Sequence, residues 1–156
     1  MSRNDELRFG ENPTSLDMSR PRFDRNSSVK TSFNVGDLIP FYVDEVLPGD
    51  TFSVNTSKIV RLQTLITPMM DNLLLDFYFF FVPNRLVWSH WQEFMGENTQ
   101  SAWIPSATYS VPQITSPAST GWAVGSLGDY LGLPIGVPGL SVNALPFRAY
   151  ALICKT

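Results

Sequence analysis

The 156-residue sequence holds one cysteine, Cys154, and one histidine, His90. A single thiol excludes an internal disulfide framework, and two such residues cannot fill the usual zinc ligand sets. No metal, no cofactor and no redox chemistry are expected. Long apolar runs are missing too: no window approaches the roughly 18 to 20 uninterrupted apolar residues of a membrane-spanning helix. The opening "MSRNDELRFGENPTS" has no apolar signal-peptide core, so the chain is expected to be made and kept in the cytosol, with no membrane partner. Charge is sparse at 16%, yet 44% of residues are hydrophobic, a balance suited to a packed core and far from the disordered range.

The few charges are unevenly placed. Arg3, Arg8, Arg20, Arg22, Arg25 and Lys30 are six of the eleven basic residues, and all lie within residues 1–31. Large apolar side chains are rare there and follow neither a period of 2 nor of 3.6, which predicts an extended N-terminal arm. Two readings stay open: a solvated terminus, or an arm whose arginines contact a partner or the phosphates of a polyanion. Asp5, Glu6, Glu11, Asp17 and Asp24 nearly cancel the positive charge, which weakens the second reading.

From Ser32 the pattern changes to short β-type runs. "DLIPFYVDEV" is followed by Leu47-Pro48-Gly49-Asp50, where proline presets the first turn dihedral and glycine takes the positive φ of the second. "TFSVNTSKIVRLQTLI" alternates Phe52 and Val54 with polar neighbours and stops at Pro68. Residues 72–82, "NLLLDFYFFFV", predict the longest strand, roughly 36 Å if fully extended. Leu73, Leu75, Phe77, Phe79 and Phe81 form one wholly apolar face. The opposite face turns apolar only from Tyr78 onward, so both faces need cover at the end of the run. Asp76 before it and Pro83, Asn84 and Arg85 after it stand as gatekeepers against aggregation.

Beyond the strands of 32–82, Asn84 is a candidate N-cap and Gly96 a stop for one amphipathic helix over 84–96, with Val87, Trp91, Phe94 and Met95 at helical spacing. Long loops are expected over 97–140. Within them residues 98–128 contain no charged side chain, and Trp103, Tyr109 and Trp122 give the stretch the composition of an interface core or of a packed surface loop. Ser126 and Asp129 have capping-box spacing in "SLGDYLG", and "ALPFRAYALI" reads as a helix within a segment spanning 141–156.

Catalytic chemistry has no foothold. His90 and Glu93, three apart on the expected helix, could pair as a base and its orienting carboxylate, but no nucleophile is placed by a recognisable turn. "GLPIGVPG" lacks the Gly-Lys-Ser/Thr ending of a phosphate loop, and its prolines remove backbone donors. Asp44 and Glu45, adjacent on a strand, point to opposite faces and lack glycosidase geometry. No catalytic residue is assigned.

The block 33–98, "FNVGDLIPFYVDEVLPGDTFSVNTSKIVRLQTLITPMMDNLLLDFYFFFVPNRLVWSHWQEFMGEN", resembles the N-terminal part of the major capsid protein of microviruses, in the gokushovirus branch of small single-stranded DNA phages. "GSLGDYLGLP" (125–134) and "VNALPFRAYALI" (142–153) are similar to later landmarks of that family in the same order. The resemblance implies a mainly β fold, a viral jelly-roll β-sandwich of which only the first strands are present, with short helices and long loops. It implies a non-enzymatic shell subunit, assembled in the host cytoplasm and found in the virion. Its partners would be other copies of the capsid protein, packaged single-stranded DNA, and internal scaffolding or minor capsid proteins. A jelly-roll needs eight strands and only four or five are found, and "CKT" departs from the family pattern, so the chain is expected to be a truncated portion of a longer protein.

Under that reading Phe77, Phe79, Phe80, Phe81, Trp88, Trp91, Trp103 and Trp122 are the candidate core or intersubunit aromatics. Arg3, Arg8, Arg20, Arg22, Arg25 and Lys30 are the candidate DNA-phosphate contacts. A competing reading is a β-sandwich binding module that recognises carbohydrate through Trp103, Tyr109 and Trp122. A hydrolase would need a nucleophile set that the sequence does not offer.

Overall fold

A computed structural model of the chain describes residues 19–98, 103–104 and 107–155. Their regular structure is sparse: α1 (Asn84–Val87), α2 (Trp91–Phe94), β1 (Gln113–Thr115), α3 (Leu127–Tyr130), β2 (Ser141–Asn143) and α4 (Leu145–Ile153). The runs read as strands over 32–82 form no ladder among the described residues. Alternation along a chain decides which side chains share a face, but a strand exists only through hydrogen bonds to a neighbour. The single sheet among the described residues is the antiparallel pair β1–β2, in the register Ile114 opposite Val142.

That pair organises the C-terminal half. Main-chain bonds extend it at both ends, from the Ala144 amide to the Pro112 carbonyl at 2.9 Å and from the Ser116 amide to the Leu140 carbonyl at 2.8 Å. Ser116, 3% exposed, satisfies its hydroxyl twice, donating to the Val137 carbonyl at 2.8 Å and accepting from the Leu140 amide at 2.9 Å. A buried hydroxyl left without partners would be costly, so this serine fixes how the 137–140 turn folds over β1. Gly121 lies under the same turn. At φ 68° a Cβ there would sit 2.4 Å from the Val137 nitrogen, so only glycine lets the two backbones approach so closely.

The helices end as local chemistry dictates, with three differences from expectation. The helix expected over 84–96 is split: Trp88 is extended (φ −147°, ψ 116°), which turns its ring inward and separates α1 from α2. Pro83, not Asn84, occupies the N-cap of α1. Gly96, at φ 104°, does provide the expected stop. The loops expected over 97–140 contain β1, while "SLGDYLG" within them, which the capping-box spacing marks as a helix, forms α3.

The Ser126 hydroxyl accepts from the Asp129 amide at 3.4 Å, half of a capping box. The Asp129 carboxylate reaches the Gly125 amide, at 2.8 Å, in place of Ser126. The helix read in "ALPFRAYALI" is α4. Its Pro146 sits in the first turn, where no amide donor is needed, and the Asn143 side chain accepts from the Leu145 amide at 2.9 Å.

Two tyrosines attach the earlier chain to this half. Tyr130 donates to the Ser32 carbonyl at 3.2 Å and Tyr150 to the Leu38 carbonyl at 2.7 Å. Farther along, Val43 closes an apolar cleft against Leu131, Leu133, Val142 and Phe147. Arg148 on α4 donates to the Val87 carbonyl at the end of α1, 3.2 Å away, and so ties the split helix to the same body.

Candidate assembly surface

Residues 73–81 place their rings alternately, as the period-2 reading requires. Phe41 meets Phe77 edge-on at 5.8 Å and Phe79 at 6.3 Å, whereas Tyr78 and Phe80 face each other at 6.0 Å. Phe77 and Phe79 therefore share one side and Tyr78 and Phe80 the other. The Lys58 ammonium lies 3.4 Å from the centre of the Phe77 ring, a cation–π contact that adds a little cover.

Cover is otherwise thin. Leu74 is 88% exposed and Phe81 78%, with Tyr78, Phe79 and Phe80 all more than half exposed. Exposed apolar side chains continue along the preceding runs, including Ile59, Val60, Ile66 and Met70. Isolated exposed apolar side chains are common on proteins, but a run of them this long along the chain is not.

The other aromatics divide into separate groups. Trp88, 8% exposed, is the centre of a small cluster with Trp91 at 6.3 Å and Phe94 at 5.3 Å. Trp122 stacks on Phe147 at 5.3 Å and packs so tightly over Gly128 that a Cβ there would fall 2.7 Å from its ring. Trp103 is 93% exposed. Tyr109 stacks on His90 at 4.4 Å. Trp103, Tyr109 and Trp122 thus stand in three different settings and do not form one flat platform.

His90 and Glu93 do come together: Nδ1 lies 2.7 Å from the Glu93 carboxylate, and Tyr109 covers the imidazole face. Hydrogen bonds from His90 and then Tyr109 hold the Glu93 carboxyl below its ordinary range, and the bond to Glu93 raises the Tyr109 phenol. With one ring nitrogen bound and one face stacked, the histidine serves to fasten the 107–112 segment beside α2. Among the described residues no cluster of three His, Cys, Asp or Glu side chains could hold a metal, and no helix is long and apolar enough to cross a membrane.

Residues 12–156 match the family described as Capsid protein (F protein). The chain belongs to this capsid protein family. It is 45% identical over 152 residues to the Capsid protein VP1 of Bdellovibrio phage phiMH2K, covering 97% of this chain and 28% of that protein. It is 49% identical over 150 residues to the Capsid protein VP1 of Chlamydia phage 1, covering 94% and 25%. To the Capsid protein VP1 of Spiroplasma virus 4 it is 43% identical over 122 residues, covering 78% and 22%. The chain spans about a quarter of the length of these relatives. The resemblance read from residues 33–98, 125–134 and 142–153 is borne out.

In this capsid-family chain the basic arm is distributed unevenly. Arg3 and Arg8 lie outside the described residues. Arg22 and Lys30 are exposed, the Arg20 guanidinium lies beside Gly49, and Arg25 is paired with Asp44. Sequence reasoning missed Phe41, Lys58, Tyr130, Arg148 and Tyr150. Their roles depend on partners 19 to 112 residues away. Phe41 and Lys58 lie in β-type runs and Tyr130, Arg148 and Tyr150 in helical segments, but no local pattern names their partners.

Proposed function

We propose that this chain is part of a structural shell subunit of a small single-stranded DNA phage, non-enzymatic and resident in the virion. The observation that carries the reading is the family match over residues 12–156, which includes the exposed aromatic stripe 73–81. A shell subunit performs its task through surfaces, and a stripe of Leu, Phe and Tyr side chains on both faces is what a sandwich wall buries on assembly. We assign the full protein a jelly-roll β-sandwich in which 32–82 supplies strands. The partners are other copies of the subunit, together with scaffolding or minor shell proteins. Arg20, Arg22 and Lys30 are the exposed arm residues, among those described, that we assign to packaged DNA, through phosphate contacts that carry no sequence preference.

The test is a replacement. This chain is substituted for the matching segment of the Capsid protein VP1 of Chlamydia phage 1, the 49% identical relative, and the chimera is viewed by electron microscopy. Closed particles are the expected result. A chimera that stays soluble and folded yet never forms particles would overturn the reading.

A further inference from the structure

The carboxylate of Asp44 is unusually well provided with donors for a residue outside any helix or sheet. Its Oδ1 accepts from the Arg25 guanidinium and from the Glu45 amide at 2.9 Å, and its Oδ2 accepts from the Tyr42 hydroxyl at 2.7 Å. The Asp44 side chain is 13% exposed, whereas that of Arg25 is 60% exposed. The carboxylate is therefore fixed by its immediate neighbours Tyr42 and Glu45, and the arginine is brought to it.

On the arm side, Asp24 accepts from the Asn26 amide at 3.1 Å and from its side-chain nitrogen at 3.0 Å, closing an Asx-type turn around Arg25. Farther up the arm the Arg20 guanidinium lies near Gly49, 3.7 Å from where a Cβ would stand. Arg25 at Asp44 and Arg20 near Gly49 follow in opposite order along the two segments, the order of antiparallel chains.

We propose that Asp44, held by Tyr42, is the docking site of the N-terminal arm and that Arg25 is its anchor. The arm is fastened at residue 25, and Arg22, exposed just before that point, is left to a polyanion. The anchor is an exposed ion pair, screened by salt and of modest strength, so it acts as a releasable latch. A phosphate chain binds guanidinium as a carboxylate does and competes for Arg25. The proposal concerns this chain's own residues and stands or falls apart from the shell reading.

Trypsin reads the anchor directly, because the protease must take the arginine side chain into its own acidic pocket. The full chain is digested at low ionic strength, and cleavage of the Arg25–Asn26 bond is compared by mass spectrometry with that of Arg22–Phe23. A peptide of residues 19–31 supplies the intrinsic ratio. In the chain, cleavage after Arg25 is expected to fall about two- to fivefold relative to that ratio. Asp44→Asn removes the difference, Asp44→Glu keeps part of it, and high salt narrows it without any mutation. A wild-type ratio equal to that of the peptide, or a protection that Asp44→Asn leaves intact, overturns the proposal.

Discussion

The Tyr150 hydroxyl donates to the Leu38 carbonyl at 2.7 Å, a bond between residues 112 positions apart. With Tyr130 bonded to the Ser32 carbonyl, it fixes where the early chain crosses α3 and α4. Burial, followed by the nearby Cys154 side chain, raises the Tyr150 phenol, so the hydroxyl stays protonated and a donor throughout the neutral range.

Removing that donor should loosen one segment selectively. Tyr150→Phe removes the bond to the Leu38 carbonyl and is expected to cost about 1 kcal/mol. Amide hydrogen exchange over 32–40 should quicken, while the amides of Ser116 and Leu140 keep their protection. Equal quickening in both regions would show that the tyrosine acts on the whole body and not on the attachment.

Gly121 and Gly132 separate backbone strain from close approach. Both have positive φ, but a Cβ at Gly121 meets Val137 backbone at 2.4 Å, whereas nothing lies within 4 Å at Gly132. Gly132→Ala is expected to cost about 1–2 kcal/mol, the left-handed penalty alone. Gly121→Ala should cost about 2–4 kcal/mol, because the 137–140 turn must move. Exchange protection of the Ser116 and Leu140 amides reports the difference.

The aromatic stripe should behave as exposed apolar surface in the isolated chain. Strong binding of a hydrophobic dye and concentration-dependent aggregation are the expected outcomes. Phe81→Lys with Leu74→Lys should lower both while leaving the near-ultraviolet dichroism of the Trp122–Phe147 stack unchanged. Dye binding that persists at full strength in the double variant would place the sticky surface elsewhere.

The Tyr109–Glu93 contact has a defined pH window. A depressed carboxyl stabilises the folded form above the ordinary carboxylate value, and that contribution is lost as pH falls through the lower folded value. A raised phenol contributes below the ordinary tyrosine value and loses its effect as pH rises through the higher folded one. The contact should therefore hold from weakly acidic to weakly alkaline pH. In Glu93→Gln, ultraviolet titration should show Tyr109 ionising at lower pH than in the wild type. An unchanged tyrosine titration would sink the assignment.

Features governed by neighbouring residues are legible in the sequence. Pro48-Gly49 forms the expected turn, with Gly49 at φ 85° and the Asp50 amide bonded to the Leu47 carbonyl at 3.1 Å. Ser126 caps α3, "ALPFRAYALI" is helical, and the alternation of Phe77 and Phe79 against Tyr78 and Phe80 follows from the two-residue period. Trp88 was harder to read. Its spacing fits a continuous helix, but burying so large a ring between Trp91 and Phe94 takes an extended residue that no local pattern announces. The arm shows the same limit, since its composition marks Arg25 as a free cation until Asp44 is seen beside it.

Side-chain alternation, the turns, the helix stops and the capsid family follow from dihedral preferences and from the order of residues along the chain. Tertiary structure alone decided which carbonyls Tyr130, Arg148 and Tyr150 reach, which arginine is latched, and which of the aromatics have cover. Those outcomes depend on distances between segments remote in sequence, and a hydrogen bond or an apolar contact exists only when both partners arrive at the same place.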